Sequence, residues 1–339
     1  MKGKNGARSR IAPPGRVPAR FHEIFRFPPD AFSATRLSAM NTPSTSSSRR
    51  RFLSGLTLAA AAPALVGRPA QAAFTAPEGS AVGGFHLGCQ CWTFRNFSVL
   101  EAIEFTARAG GSVIEFFPGQ RLRPDDEEAR WGHEASEDAY SMVKDKLEEW
   151  GVTPMNYGVV GIPDEEEKAR PIFEFAKRWN LYGITTESDL AIDLIEKLAI
   201  EYDVKICYHN HPQRPDKPDY KVWNPAYIAE LVKDRDPRIG ACGDTGHWIR
   251  TGLDPVESLQ ILSGRVHALH LKDRPSQEGA DVVWGAGIGK VEEVLATVRE
   301  QGFEGNISVE YETNWDHNFF DAAQCLGFVR GLAVAKGWA

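Results

Sequence analysis

Four stretches in the second half of the chain end in side chains that bind metals or move protons. They are Tyr208-His209-Asn210-His211, Asp244-Thr245-Gly246-His247, the run from His267 to Asp273 that contains His270 and Lys272, and Ser308 to Glu312, which contains Glu310 and Glu312. Each lies at the end of a short apolar run. Imidazole nitrogens and carboxylate oxygens together make a donor set that suits a divalent cation. Taken singly, each has a plainer reading. Asp244 serves equally as a helix N-cap with His247 on the surface, His270 as a hydrogen-bonded core residue, and Lys272 as a surface lysine paired to Asp273. Glu310 and Glu312 alternate with Val309 and Tyr311, so they share one face of a strand. A carboxylate on a buried face is costly unless it is paired or metal-bound. His209 and His211 likewise share a face, and Glu187 ends a further run after Thr185-Thr186. Five adjacent runs ending in ligand-type residues point to a shared site rather than to five coincidences.

Such a site requires elements that bring distant residues to one place. Strand candidates cover 85–92, 112–117, 153–159, 182–186, 204–210, 239–243, 266–271 and 306–311. Between them lie helix-like segments at 99–109, 137–150, 165–179, 189–202, 225–233, 255–262 and 291–300. Ser136, Pro163-Asp164-Glu165 and Asn224-Pro225 carry helix-start chemistry, and Gly151 and Gly302 follow helices as C-terminal caps. Eight β–α units in about 260 residues predict a single-domain (β/α)8 TIM barrel, whose strand ends converge on one face. A doubly wound sheet is the structural alternative. Gly285-Ala286-Gly287-Ile288-Gly289 lacks the strand context of a nucleotide-binding turn and reads as a flexible loop. Trp92, Phe117 and Trp284 fall at loop positions where they either line a ligand site or pack the core.

The chain has 339 residues, 42% hydrophobic and 25% charged, with a net charge of −7. Residues 1–72 carry a net +10, which leaves −17 on the rest. An acidic body argues against nucleic acid as a partner. Cys89, Cys91, Cys207, Cys242 and Cys325 include no Cys-x-x-Cys pair, and Cys207 and Cys242 read as buried thiols. Arg49-Arg50-Arg51-Phe52-Leu53, the Ala-rich stretch to Val66 and the small-x-small site Ala70-Gln71-Ala72 resemble a twin-arginine export signal over 40–72. Its apolar part is too short to span a bilayer, so cleavage would leave no stable membrane span. Residues 1–39 lack hydrophobic periodicity and read as an overrun ahead of a start at Met40. The expected product is a periplasmic barrel over 73–339.

With Asp244-Thr245-Gly246-His247 followed by Gly252-Leu253-Asp254-Pro255, Val266 to Asp273, and Ser308 to Glu312, the chain resembles the xylose-isomerase-like superfamily of sugar phosphate isomerases and epimerases. Phe116 to Gln120 resembles a variant common among exported members. The resemblance implies one divalent metal held by an acid from the fifth strand, Asp244, His270 and Glu310. His209 stands where the fifth-strand Glu is usual, which puts in doubt the two-glutamate proton exchange of the family's epimerases. Glu187 is expected to supply the second carboxylate, with His209 or His211 as alternative bases. Lys272 is expected to neutralise an oxyanion, and Trp92, His211, His247 and Glu312 to contact substrate. Mn²⁺ suits the mixed donor set, and Mg²⁺, Co²⁺ and Zn²⁺ are compatible with it.

The implied chemistry is isomerisation or epimerisation of a free sugar or glycoside through an enediolate. The alternative on the same metal site is lyase or hydrolase action on a 3-keto-glycoside. An endonuclease IV-like phosphodiesterase and a non-catalytic sugar-binding protein rank below both. The expected partner is a small-molecule sugar, and whether copies of the chain form a homo-oligomer is left open.

Overall fold

Apolar runs of four to six residues, too short for helices, become strands when both of their faces are covered. The computed structural model describes residues 81–338. In it eight such runs form β1 (Phe85–Gln90), β2 (Val113–Phe116), β3 (Thr153–Tyr157), β4 (Gly183–Thr186), β5 (Lys205–His209), β6 (Ile239–Asp244), β7 (Val266–Leu271) and β8 (Asn306–Val309). Each pairs in parallel with the next, and β8 pairs with β1, which closes the expected (β/α)8 barrel. A two-residue strand, Ala81–Val82, pairs antiparallel with β1.

Helices cover the outside: α1 (Val99–Arg108), α2 (Glu137–Trp150), α3 (Glu166–Arg178), α4 (Ile192–Tyr202), α5 (Pro225–Val232), α6 (Thr245–Thr251), α7 (Pro255–Ile261), α8 (Val291–Glu300) and α9 (Phe319–Lys336). Their starts follow local chemistry. Ser98 and Glu101 form a reciprocal cap on α1, Ser136 caps α2, Asn224 caps α5 and Asp254 caps α7. Gly151 ends α2 in the left-handed region. Close packing needs glycine at Gly88, where a Cβ would meet the Val113 carbonyl oxygen at 1.7 Å.

The structure departs from the sequence reading in four places. Residues after β2 fold into an antiparallel hairpin, Gln120–Arg123 with Asp126–Trp131, whose alternating charges masked its strand character. Asp244 caps the short helix α6, which places His247 in the interior rather than on the surface. The long helix α9 went unread because its glycines and apolar residues show no clear amphipathic face. The segment 285–289 is pinned rather than free: the Asp273 carboxylate accepts N–H bonds from Arg274, Gly285, Gly287 and Gly289 at 2.8–2.9 Å.

The main core lies between barrel and helices, and Cys207, Cys242 and Ala268 form a small apolar cluster of their own. All five cysteines are buried and free. The expectations for residues 1–39, for the export signal over 40–72 and for 73–80 lie outside the described residues.

Candidate active site

Strands β5 to β8 bring His209, Asp244, His270 and Glu310 together. Register explains part of this: His270 lies opposite Asp244 across the β6–β7 pair. One ligand atom from each of the four lies within 4.8 Å of the others, and all four side chains are buried. Asp244 holds both positions that its sequence allowed. Its Oδ1 caps α6 by accepting the His247 N–H at 2.8 Å, and its Oδ2 faces His209 Nε2 at 3.5 Å. Glu310 Oε2 lies 3.2 Å from His270 Nδ1 and 4.0 Å from His209 Nε2.

The residues present fit a cation. Both ring nitrogens of His209 and the Nδ1 of His270 are buried without a hydrogen-bond partner. Such atoms are costly unless something else satisfies them. Two carboxylates and two imidazoles form the hard-plus-borderline donor set that first-row divalent ions and Mg²⁺ accept in varying degree.

Lys272 is the largest polar side chain inside the site, and it is fully buried. It is not paired with Asp273. Its Nζ donates to Asp244 Oδ2 at 2.7 Å and to Glu310 Oε2 at 2.5 Å, and lies 3.4 Å from Glu312 Oε2. Burial pushes this ammonium down, but Asp244, Glu310 and Glu312 outweigh burial and hold it well above the usual lysine range. Its aliphatic stem packs on Gly246, where a Cβ would come within 2.6 Å of the Lys272 Cβ. Conversely, burial raises the Glu310 carboxyl, and Lys272 with His270 more than reverses this.

A second cluster flanks the first. Glu187 Oε1 lies 2.5 Å from His211 Nδ1, accepts from the Tyr220 hydroxyl at 2.6 Å and lies 3.9 Å from His209 Nδ1, while Arg214 stands 3.7 Å from Oε2. Burial raises the Glu187 carboxyl, but the neighbouring imidazoles of His209 and His211 overcome it and hold the group far below the usual carboxylate range. A carboxylate so held is a weak base, and one well suited to orienting His211.

A cavity of about 180 Å³ opens beside both clusters, lined by Gln90, Trp92, Phe117, Val159, His211, Glu310 and Glu312. Trp92, His211 and Glu312, expected to contact substrate, all line this cavity. Trp92 is fixed by its indole N–H on Glu312 Oε1 at 3.0 Å and by edge contact with Phe117. His247 is not a lining residue: it is buried and stacked behind His211, with ring centroids 5.0 Å apart. Trp284 packs in the core with its N–H on the Leu271 carbonyl. His267 sits near the start of β7, bonded to the Pro237 carbonyl at 3.0 Å, remote from the strand ends. A larger cavity of about 400 Å³ lies between the hairpin and α2 and contains none of the clustered ligand residues.

Sequence reasoning missed Glu115. This β2 residue is fully buried and lies 2.8 Å from His270 Nε2 and 2.8 Å from Thr185 Oγ1. The run Val113-Ile114-Glu115-Phe116 gives one signal for it, a lone carboxyl within an otherwise apolar strand.

Fold and site together define a (β/α)8 barrel with a mixed His/carboxylate cluster at the C-terminal ends of its strands. Residues 185–328 match the model of the xylose isomerase-like TIM barrel family. The crystal structure of an uncharacterized protein from Parabacteroides distasonis is 31% identical, with a TM-score of 0.58, over 73% of this chain and 99% of that one. Residues 185–328 of the chain are thus similar to the xylose isomerase-like TIM barrel family. A D-tagatose 3-epimerase-like protein matches 75% of this chain and 100% of its own with a TM-score of 0.58; at 17% identity the likeness is one of fold. Among curated proteins, an inosose dehydratase of Clostridium botulinum is 25% identical over 203 residues. That match covers 53% of this chain and 64% of the relative, less than two thirds of its length.

Proposed function

We propose that the protein is a metal-dependent sugar isomerase or epimerase that abstracts a proton next to a sugar carbonyl. The observation that carries this reading is the convergence of His209, Asp244, His270 and Glu310, with Lys272 among them, beside a cavity with an aromatic wall. Those four residues would hold one divalent ion, Mn²⁺ being the best match to the donor set. When bound, the ion supplies Lewis-acid polarisation of the sugar carbonyl and its neighbouring hydroxyl.

The chain's own groups account for the rest. Glu187 accepts the Nδ1–H of His211, which leaves His211 Nε2 as the acceptor for the carbon-bound proton. The electron pair of the broken C–H bond moves onto the carbonyl oxygen and gives an enediolate. Lys272 carries the positive charge that stabilises this oxygen. Trp92 and Phe117 offer the sugar an apolar face and exclude water. Return of the proton from His211 to the neighbouring carbon gives the isomer, and the epimer would need a proton delivered to the same carbon from the opposite face, for which Glu310 is the carboxyl on the cavity wall.

A second reading is elimination on a keto sugar or 3-keto-glycoside, in which the same electron pair expels a neighbouring substituent. Two observations favour it. His209, where the family resemblance implies an acid, completes the cluster, so the pocket offers one oriented base, and the curated relative is a dehydratase. Product analysis in heavy water with Mn²⁺, on a panel of free sugars, glycosides and keto-glycosides, separates the readings. Solvent deuterium in recovered sugar supports proton exchange, and loss of water or aglycone supports elimination. Chelation should abolish either reaction and Mn²⁺ should restore it. Turnover that survives chelation, or no deuterium and no product with any member of the panel, would overturn the proposal.

A further inference from the structure

We infer that Glu115 is a positioning residue that selects Nδ1 of His270 as the atom presented to the cation cluster. The inference rests on the cation reading above and deepens it. Glu115 projects from β2 into the barrel and is fully buried. No lysine or arginine forms an ion pair with it among the described residues. Its partners come instead from β4, β7 and β8. Thr185 Oγ1 donates to Oε1 at 2.8 Å. Oε2 faces His270 Nε2 at 2.8 Å, Asn306 Nδ2 at 3.3 Å and Ser308 Oγ at 3.3 Å.

An amide N–H such as that of Asn306 only donates, so Oε2 is an acceptor and the imidazole nitrogen facing it must carry its proton. Nε2–H therefore points at Glu115, and Nδ1 is the nitrogen left facing Glu310 Oε2 at 3.2 Å and the cluster, where a cation would take the place of any proton on it. Rotation of the ring would break this bond and aim an N–H at the cluster. A buried carboxyl facing a set of donors is costly to maintain in a barrel interior. It is explained by fixing the orientation of His270, whose ring meets it from β7.

The test uses Zn²⁺ alone as the probe, a diamagnetic ion compatible with these donors, with protein labelled with ¹⁵N-histidine. In wild type the His270 ring should bind through Nδ1 and show a protonated Nε2. Glu115→Met keeps the length of the side chain but removes the acceptor, and should weaken Zn²⁺ binding by about 10–100-fold. Glu115→Gln keeps one oxygen acceptor and should recover most of the affinity along with the wild-type ring signature, which general damage to the barrel would not do. Should Glu115→Met not fold, Glu115→Asp withdraws the acceptor by one methylene and should weaken binding in the same direction. Unchanged affinity on loss or withdrawal of the acceptor, or His270 bound through Nε2, would overturn the inference and leave the cation reading standing. Wild-type protein that takes up no Zn²⁺ would overturn both.

Discussion

At the scale of single residues, the site is a set of charges that stabilise one another. Lys272 is an ammonium without solvent, and it persists because Asp244, Glu310 and Glu312 surround it. Truncating one partner of such a group leaves a buried charge unpaired. Lys272→Met should therefore lower kcat and also alter metal affinity, because it frees two oxygens that the cation would share; titration with Mn²⁺ beside turnover checks both. In the proposed mechanism Glu187 and His211 act as one unit. Glu187→Gln should lower kcat by about 10²–10⁴ while metal content stays unchanged. His211→Ala should do the same, and the double variant should be no worse than either single one, since members of a unit are not additive. Multiplicative losses would show that the two work separately, and full activity in Glu187→Gln would remove it from the mechanism.

At the scale of elements, strand ends and the loops after them carry the candidate site, while strand starts are placed to carry stability. Asp273, just beyond β7, fastens the segment 274–289 through four backbone N–H bonds. The same segment holds Asp281, which accepts the Glu312 N–H at 2.8 Å and so ties the loop to the pocket wall. Asp273→Ala strands several buried donors and should cost at least about 3 kcal/mol. A melting temperature lowered by roughly 6–12 °C, with new protease cleavage in 274–289, would bear this out.

The start of β7 makes a different prediction. Burial lowers His267 to about 4, from the usual histidine value of about 6.5. Between those values the unfolded chain binds the proton and the folded chain does not. Stability should thus be complete above about pH 6.5 and fall as pH drops toward 4, by on the order of 3 kcal/mol. His267→Gln should flatten this part of the stability–pH curve; a slope unchanged by the substitution would assign it to other groups.

At the scale of the whole molecule, charge is divided between a basic N-terminal segment and an acidic remainder. None of the helices among the described residues is long and apolar enough to cross a membrane. We propose that residues 40–72 direct export through the twin-arginine pathway. Arg49→Lys combined with Arg50→Lys should leave full-length precursor in the cytoplasm, and sequencing of the wild-type mature protein should begin near Ala73. A mature protein that retains residues 1–39 would refute the assignment.

Patterns within a few residues were legible without coordinates. Apolar runs of strand length, Ser136 and Asn224 as caps, and ligand-type residues after the runs were enough for the barrel and for a shared site at its strand ends, while the narrower set of His209, Asp244, His270 and Glu310 came with the family resemblance. These are local signals, because strand period, capping and the polarity of a strand end depend on sequence neighbours. Tertiary structure alone decided which atoms face which. Asp273 next door is nearer to Lys272 in sequence than any partner the ammonium takes, yet Lys272 turns to Asp244 and Glu310 because the barrel's closure brings them inward. Glu115 finds His270 155 residues away, and no periodicity in β2 announces that meeting. Burial removes water as an alternative partner, so polar atoms in the interior must find one another across strands. Such pairings follow from strand order and register, which a local pattern does not encode.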